Sequence, residues 1–210
     1  VGEGLPTDEA LLRLVTSANI ACGAHAGDEE TMRRTVALCL QNDVGIGAHP
    51  GYADRENFGR IALNLSPSEV ADLITGQVRM LIDIAAKQGA SVRHVKPHGA
   101  LSNQAMGDID LARAIAWAVK SVSMDLIFLA PAGTALERAG LETGLKFASE
   151  LFADRAYDAQ GLLVPRSQPG AVLHDVKIIA DRLLSWLENG LLPAITGEPL
   201  RLVAQSICVH

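Results

Sequence analysis

Three histidines in this sequence, His25, His49 and His98, share a setting: each sits at or just past the end of a short apolar run and has glycine, proline or both within two residues. A fourth, His210, closes the last such run. An imidazole titrates near neutrality and carries a ligating lone pair, so residues of this kind serve as general acids and bases or as metal ligands. Around them stand Asn19, Asp28, Lys96, Glu150 and Arg166. His94, Lys96 and His98 alternate, which places them on one strand face while the chain stays extended. A lysine turned inward is costly unless it is paired or used, so Lys96 is read as functional, with His94 one layer deeper as a structural residue. Lys96 and Arg166 would supply positive charge to a carboxylate or phosphate. His25, His49 or His98 would serve as base, with Asp28 orienting an imidazole and Glu150 as a further acid–base candidate. Asp28 also stands where a helix N-cap belongs, and the two roles are compatible. Alternatively, His25, His49 and His98, with Asp28, would hold a zinc-like ion; their spacing does not decide between the readings.

These residues need a scaffold that brings distant segments together, and the sequence supplies one. Buried-strand patterns cover about 17–22, 44–48, 91–96, 125–130, 146–152 and 200–209, with helical periods between most of them. The clearest helix runs from about Pro67 to Gln88, with Ser66 as N-cap, Glu69 completing a capping box and Gly89 as a left-handed stop. Others cover about 29–41, 108–120, 134–139 and 172–189, the last expected to turn Val176, Ile179, Leu183 and Leu187 inward. Strand and helix in alternation predict a parallel sheet, either open and doubly wound or closed as a relative of the TIM barrel. Ligands of such folds bind at the carboxyl ends of the strands, which is where the polar clusters fall.

Composition narrows the function. The chain has 210 residues, 49% hydrophobic and 20% charged, with a formal net charge of −6. One domain is expected. An acidic chain with 4% aromatic residues is a poor nucleic-acid binder. No apolar run reaches the ~18 residues of a membrane span, and the first ten residues are acidic with no secretory pattern. Cys22, Cys39 and Cys208 are odd in number and form no CxxC, which suits a reducing cytoplasm. There is no P-loop, no GxSxG elbow and no HExxH. Gly45-Ile46-Gly47-Ala48-His49-Pro50 opens like GxGxxG but has proline in place of the third glycine.

The ordered blocks Ser17–Gly23 with His25–Asp28, Gly47–Tyr52, Val95–Leu101 with Asn103, Glu150 with Phe152–Arg155 and Tyr157, Leu163–Ala171 and Ile207–His210 resemble the LamB/YcsF family along essentially the whole chain. The resemblance implies a distorted seven-stranded (β/α) TIM-like barrel, similar to the glycoside hydrolase/deacetylase superfamily. Of the family's acidic opening strand only Gly2-Glu3 is matched, so that first strand is expected to be missing from this chain. The implied activity is opening of 5-oxo-L-proline to L-glutamate with ATP and Mg2+, in the company of B and C subunits. The implied site combines Lys96, His98, His49, His25 and Asp28 as catalytic residues with Asn19, Glu150, Arg166 and His210 as substrate-binding residues. The rival readings are a metal-dependent amide or lactam hydrolase and a non-catalytic substrate-binding subunit. Lactams other than 5-oxoproline and a homo-oligomeric state stay open.

Overall fold

The computed structural model describes residues 1–209; His210, expected at the site, lies outside the described residues. Six parallel strands form one curled sheet in the order β1 (Ser17–Ala21), β2 (Gly45–His49), β3 (Val92–Val95), β4 (Ile127–Pro131), β5 (Lys146–Phe152) and β8 (Ser206–Cys208). The expected seven-stranded closed barrel is therefore not what the described residues form: β1 and β8 end the sheet and are not paired with each other. Along the free edge of β1, Val1 N donates to Asn19 O (3.0 Å) and Ala21 N donates to Val1 O (3.1 Å). That is the bonding of a parallel bridge opposite Ile20, and it lays Gly2 and Glu3 beside the strand ends.

The expected run over 200–209 is split. Pro199–Arg201 (β7) pairs antiparallel with Leu191–Pro193 (β6), and only Ser206–Cys208 joins the main sheet. Among the described residues, seven helices accompany the strands: α1 (Asp8–Leu12), α2 (Glu29–Gln41), α3 (Pro67–Ala86), α4 (Gly99–Gly107), α5 (Ile109–Val122), α6 (Ala135–Thr143) and α7 (Val176–Asn189). The ends of α3 follow from the sequence: Ser66 Oγ accepts from Glu69 N while the Glu69 carboxylate accepts from Ser66 N. Its stripe Val70, Ile74, Val78, Leu81 and Ala85 is fully buried against β2, β3 and α5. Each large aliphatic side chain so buried stabilises the fold by about 1.5–3 kcal/mol.

Helix α7 departs from its expected orientation. Val176 and Leu187 are 80% and 64% exposed, Ile179 and Leu183 are half-buried, and the residue it buries is Arg182. Arg182 donates to Ala153 O and Arg155 O, so α7 is fastened through a guanidinium rather than through its apolar stripe. Among the described residues, no helix is long and apolar enough to cross a membrane.

Candidate active site

The carboxyl ends of β1, β2, β3, β5 and β8 surround a hollow. Its main cleft of about 400 Å3 is lined by Glu3, His49, Phe58, Arg60, Lys96, His98, Asn103, Phe152, Arg155 and Arg166 among others. An adjoining cleft of about 300 Å3 shares Glu3, His49, Arg60, Lys96 and Arg166 and adds Asn19 and Cys208.

The imidazole side is built first. His49 ends β2, and His98 lies just beyond β3 at the N-cap of α4. His49 Nδ1 lies 2.7 Å from Lys96 O, His98 Nε2 lies 2.9 Å from Phe58 O, and His49 Nε2 faces His98 Nδ1 at 3.1 Å. His25, from the loop after β1, stacks face to face on His98 with ring centroids 3.7 Å apart. Burial, then the neighbouring His98, Lys96 and His25, hold His49 well below the ordinary imidazole range. Burial and then His25 hold His98 down at about 4. Glu3 reaches this cluster from the bridge on the β1 edge. Burial opposes its ionisation, yet the neighbouring His25, the N-terminal ammonium and then His98 outweigh that, and its carboxyl titrates below its usual range.

Three devices fix these rings. Buried Gln77 of α3 donates to Gly51 O (2.8 Å) and accepts from Gly51 N (3.1 Å), pinning the turn after His49. Arg55 donates to Gly23 O and Gly27 O, both at 2.7 Å, tying the 50–60 loop to the loop that carries His25. Gly59, at φ +62°, lies so close that a Cβ would stand 2.8 Å from His25 Cβ. Deeper in the sheet, His94 Nε2 reaches Asn19 Oδ1 at 3.0 Å across Gly47, and any side chain at 47 would overlap the His94 ring. The second glycine of Gly45-Ile46-Gly47 thus makes room for an imidazole.

The opposite side carries charge. Lys96 Nζ is ion-paired with Glu150, both buried, and lies 3.1 Å from Cys208 Sγ and 4.6 Å from the Phe152 ring centroid. Burial alone would lower the Lys96 pKa, but Cys208 and Glu150 more than offset it and the ammonium is held charged. Burial pushes the Cys208 thiol up to about 11. Glu150 also accepts from Ser206 Oγ (3.3 Å) across the β5–β8 pair. The three cysteines are free and buried.

The hollow therefore gathers Asn19, His49, Lys96, His98 and Arg166, with His25 packed directly behind His98 and Glu150 beneath Lys96. Asp28 stands apart. It is exposed, caps α2 by accepting from Thr31 N (2.7 Å), and lines neither cleft. That bond holds its carboxyl below the usual range. Glu3, Arg60 and Phe58 belong to the lining without having been singled out from the sequence. Arg155 lines it too, but its guanidinium is engaged with Ala171 O and Val164 O, which shapes the loop presenting Arg166.

In a parallel α/β fold, a polar hollow at the strand ends is where small ligands bind. Residues 1–210 match the LamB/YcsF family, and the chain belongs to it. It is 49% identical over 205 residues, covering 97% of this chain and 80% of the other, to a protein of Nitrobacter winogradskyi named as the A subunit of 5-oxoprolinase. The crystal structure of a lactam utilization protein from Thermus thermophilus superposes with a TM-score of 0.94 at 37% identity, covering 100% of this chain and 87% of that one.

Proposed function

We propose that this chain is the A subunit of an enzyme that opens 5-oxo-L-proline, or a closely related small lactam, to the corresponding amino acid. ATP with Mg2+ would be a co-substrate, and B and C subunits would complete the enzyme. The relatives' names support the lactam. The observation that carries the reading is one hollow in which imidazoles held neutral face a lysine held charged, with Arg60 and Arg166 at its rim.

A lactam carbonyl is a poor electrophile. Attack of its oxygen on the γ-phosphorus of ATP, with release of ADP, makes the ring carbon a good one. Water then adds to that carbon and gives up a proton, the ring C–N bond breaks and the nitrogen takes a proton. A second water hydrolyses the resulting acyl phosphate to carboxylate and phosphate. His49 and His98, neutral at working pH, are the bases within reach of the hollow. The Arg166 and Arg60 guanidiniums suit the substrate carboxylate and the phosphoryl oxygens. Lys96, anchored by Glu150, sets a positive potential at the cleft floor.

The test is glutamate release from 5-oxoproline and ATP with the B and C subunits present and absent. With them present, Lys96→Ala and His98→Ala should each lower turnover at least about tenfold; wild-type rates in both variants would sink the assignment. Calorimetry of the isolated chain with ATP and Mg2+ tells whether this chain or a partner holds the nucleotide.

A further inference from the structure

The pair of rings at the mouth poses a proton-counting problem. A backbone carbonyl only accepts, so His49 Nδ1 against Lys96 O and His98 Nε2 against Phe58 O must each carry the hydrogen. In their neutral forms this leaves His49 Nε2 and His98 Nδ1 as bare lone pairs, 3.1 Å apart and pointing at one another. Two lone pairs repel unless something positive lies between or beside them. A proton would serve, but only by placing a charge on a buried ring. A metal ion would serve better. Two metal–nitrogen bonds of about 2.0–2.1 Å meeting at roughly 100° subtend about this separation. A far-side N–H given to a carbonyl is also how metal-bound histidines are usually oriented.

A third donor is in place. A Glu3 carboxylate oxygen and one ring nitrogen each of His49 and His98 all lie within 4.8 Å of one another. Beside it, His25 is fully buried, both its ring nitrogens lack a hydrogen-bond partner among the described residues, and its Nε2 stands 3.8 Å from Glu3 Oε1. An orphaned imidazole against a carboxylate is a group in want of a polar neighbour. Stacked flat on His98, His25 cannot direct a nitrogen to the point between His49 and His98, so it supports Glu3 and the ligand trio contains Glu3 in its place.

We propose that Glu3, His49 Nε2 and His98 Nδ1 bind one divalent transition-metal ion of the zinc type at the mouth of the sheet. Two imidazoles and one carboxylate suit zinc, cobalt or manganese and not the all-oxygen preference of magnesium or calcium. Three protein ligands leave a coordination position facing the 400 Å3 cleft, open to water or a carbonyl oxygen. Such an ion would take up the two lone pairs that His49 and His98 otherwise offer as bases, and in their place it can polarise an amide carbonyl or lower the pKa of bound water, in keeping with a lactam substrate but independent of the ATP step.

The experiment titrates the full-length, chelator-treated chain with Zn2+, and in parallel with Mg2+, by calorimetry, and records the visible spectrum with Co2+. The expected result is one Zn2+ per chain at micromolar or tighter Kd, Mg2+ at least about 100-fold weaker, and Co2+ bands of a low-coordinate N/O site. His49→Ala and His98→Ala should weaken Zn2+ at least about 100-fold and Glu3→Gln about tenfold, each with an unchanged far-ultraviolet dichroism spectrum. Absence of saturable Zn2+ binding in the wild type overturns the proposal, as does undiminished binding in the folded histidine variants. If either histidine variant does not fold, the wild-type Tm decides: it must rise with Zn2+, and no rise overturns the proposal. No lactam, ATP or partner enters these measurements, so their failure leaves the lactam reading standing, and the reverse holds too.

Discussion

The two walls of the hollow are built on opposite principles. On the wall formed by β1, β2 and β3, His25, His49, His98 and Glu3 crowd together with lone pairs left over and ring nitrogens unpartnered. On the wall formed by β3, β5 and β8, Lys96 is matched by Glu150, and Glu150 is in turn bonded by Ser206. One wall is held by the backbone and leaves its side chains' chemistry unspent. The other consumes its charges in a buried pair and offers only their field. Under the proposed function the difference would separate the groups that react from those that tune: a neutral base must be free to take a proton, whereas a charge at the floor works by staying in place.

The largest effect that can break this contrast lies on the charged wall. Lys96→Ala strands the Glu150 carboxylate in a buried setting and should cost about 3–5 kcal/mol of stability, read by denaturant unfolding. The double variant Lys96→Met with Glu150→Leu should recover most of that loss, because apolar residues of similar volume replace the pair, while turnover stays low. If the single variant unfolds like wild type, the pair is not buried as described and the charged wall loses its meaning.

Much of this arrangement was legible in the sequence because strand ends carry their own signature. Glycine and proline beside His49 and His98, and the alternation His94, Lys96, His98, follow from backbone geometry that a local pattern can express. The cap of α3 is local too, and it sits where Ser66, Pro67 and Glu69 put it. What could not be read was relational. Glu3 reaches the imidazoles only because Val1 bridges to the β1 edge, a contact between residues 18–20 positions apart. Gln77 looks like one more residue of the α3 pattern until its amide is seen closing on Gly51. The stripe on α7 has helical period, but a period does not say which face a neighbour covers, and the burial of Arg182 turns it outward. The seven strands implied by the resemblance included a first one expected to be missing from this chain; among the described residues there are six in the sheet.

His94 sharpens the contrast from below the imidazole wall. Burial first, and then the charge on Lys96, lower it to about 4. An unfolded histidine titrates near 6.5, so between pH 6.5 and 4 the unfolded chain binds a proton that the folded chain refuses. Stability must fall as pH is lowered through that window, by up to about 1.4 kcal/mol per pH unit from this ring alone. In His94→Gln the slope of unfolding free energy against pH over the window should shrink by about that amount, whatever the substitution does to absolute stability. An unchanged slope would mean that His94 takes up its proton alike in the folded and unfolded chain, so that neither burial nor Lys96 opposes its charge.

The smallest effect tests where the site ends. Asp28 sits in the family-like block with His25, but its carboxylate caps α2 in solvent and lines neither cleft. Replacing Asp28 by Ala removes an acceptor for Thr31 N and should lower Tm by a few degrees. Asp28→Asn keeps the acceptor and should restore most of that. Neither change should move glutamate release or Zn2+ affinity by more than about twofold, since the carboxylate is screened by water from both walls. A large loss of turnover in Asp28→Asn, at unchanged Tm, would instead make the carboxylate's charge part of the imidazole wall. The 23–27 loop, clamped by Arg55, would then have to close further over the hollow than it does here.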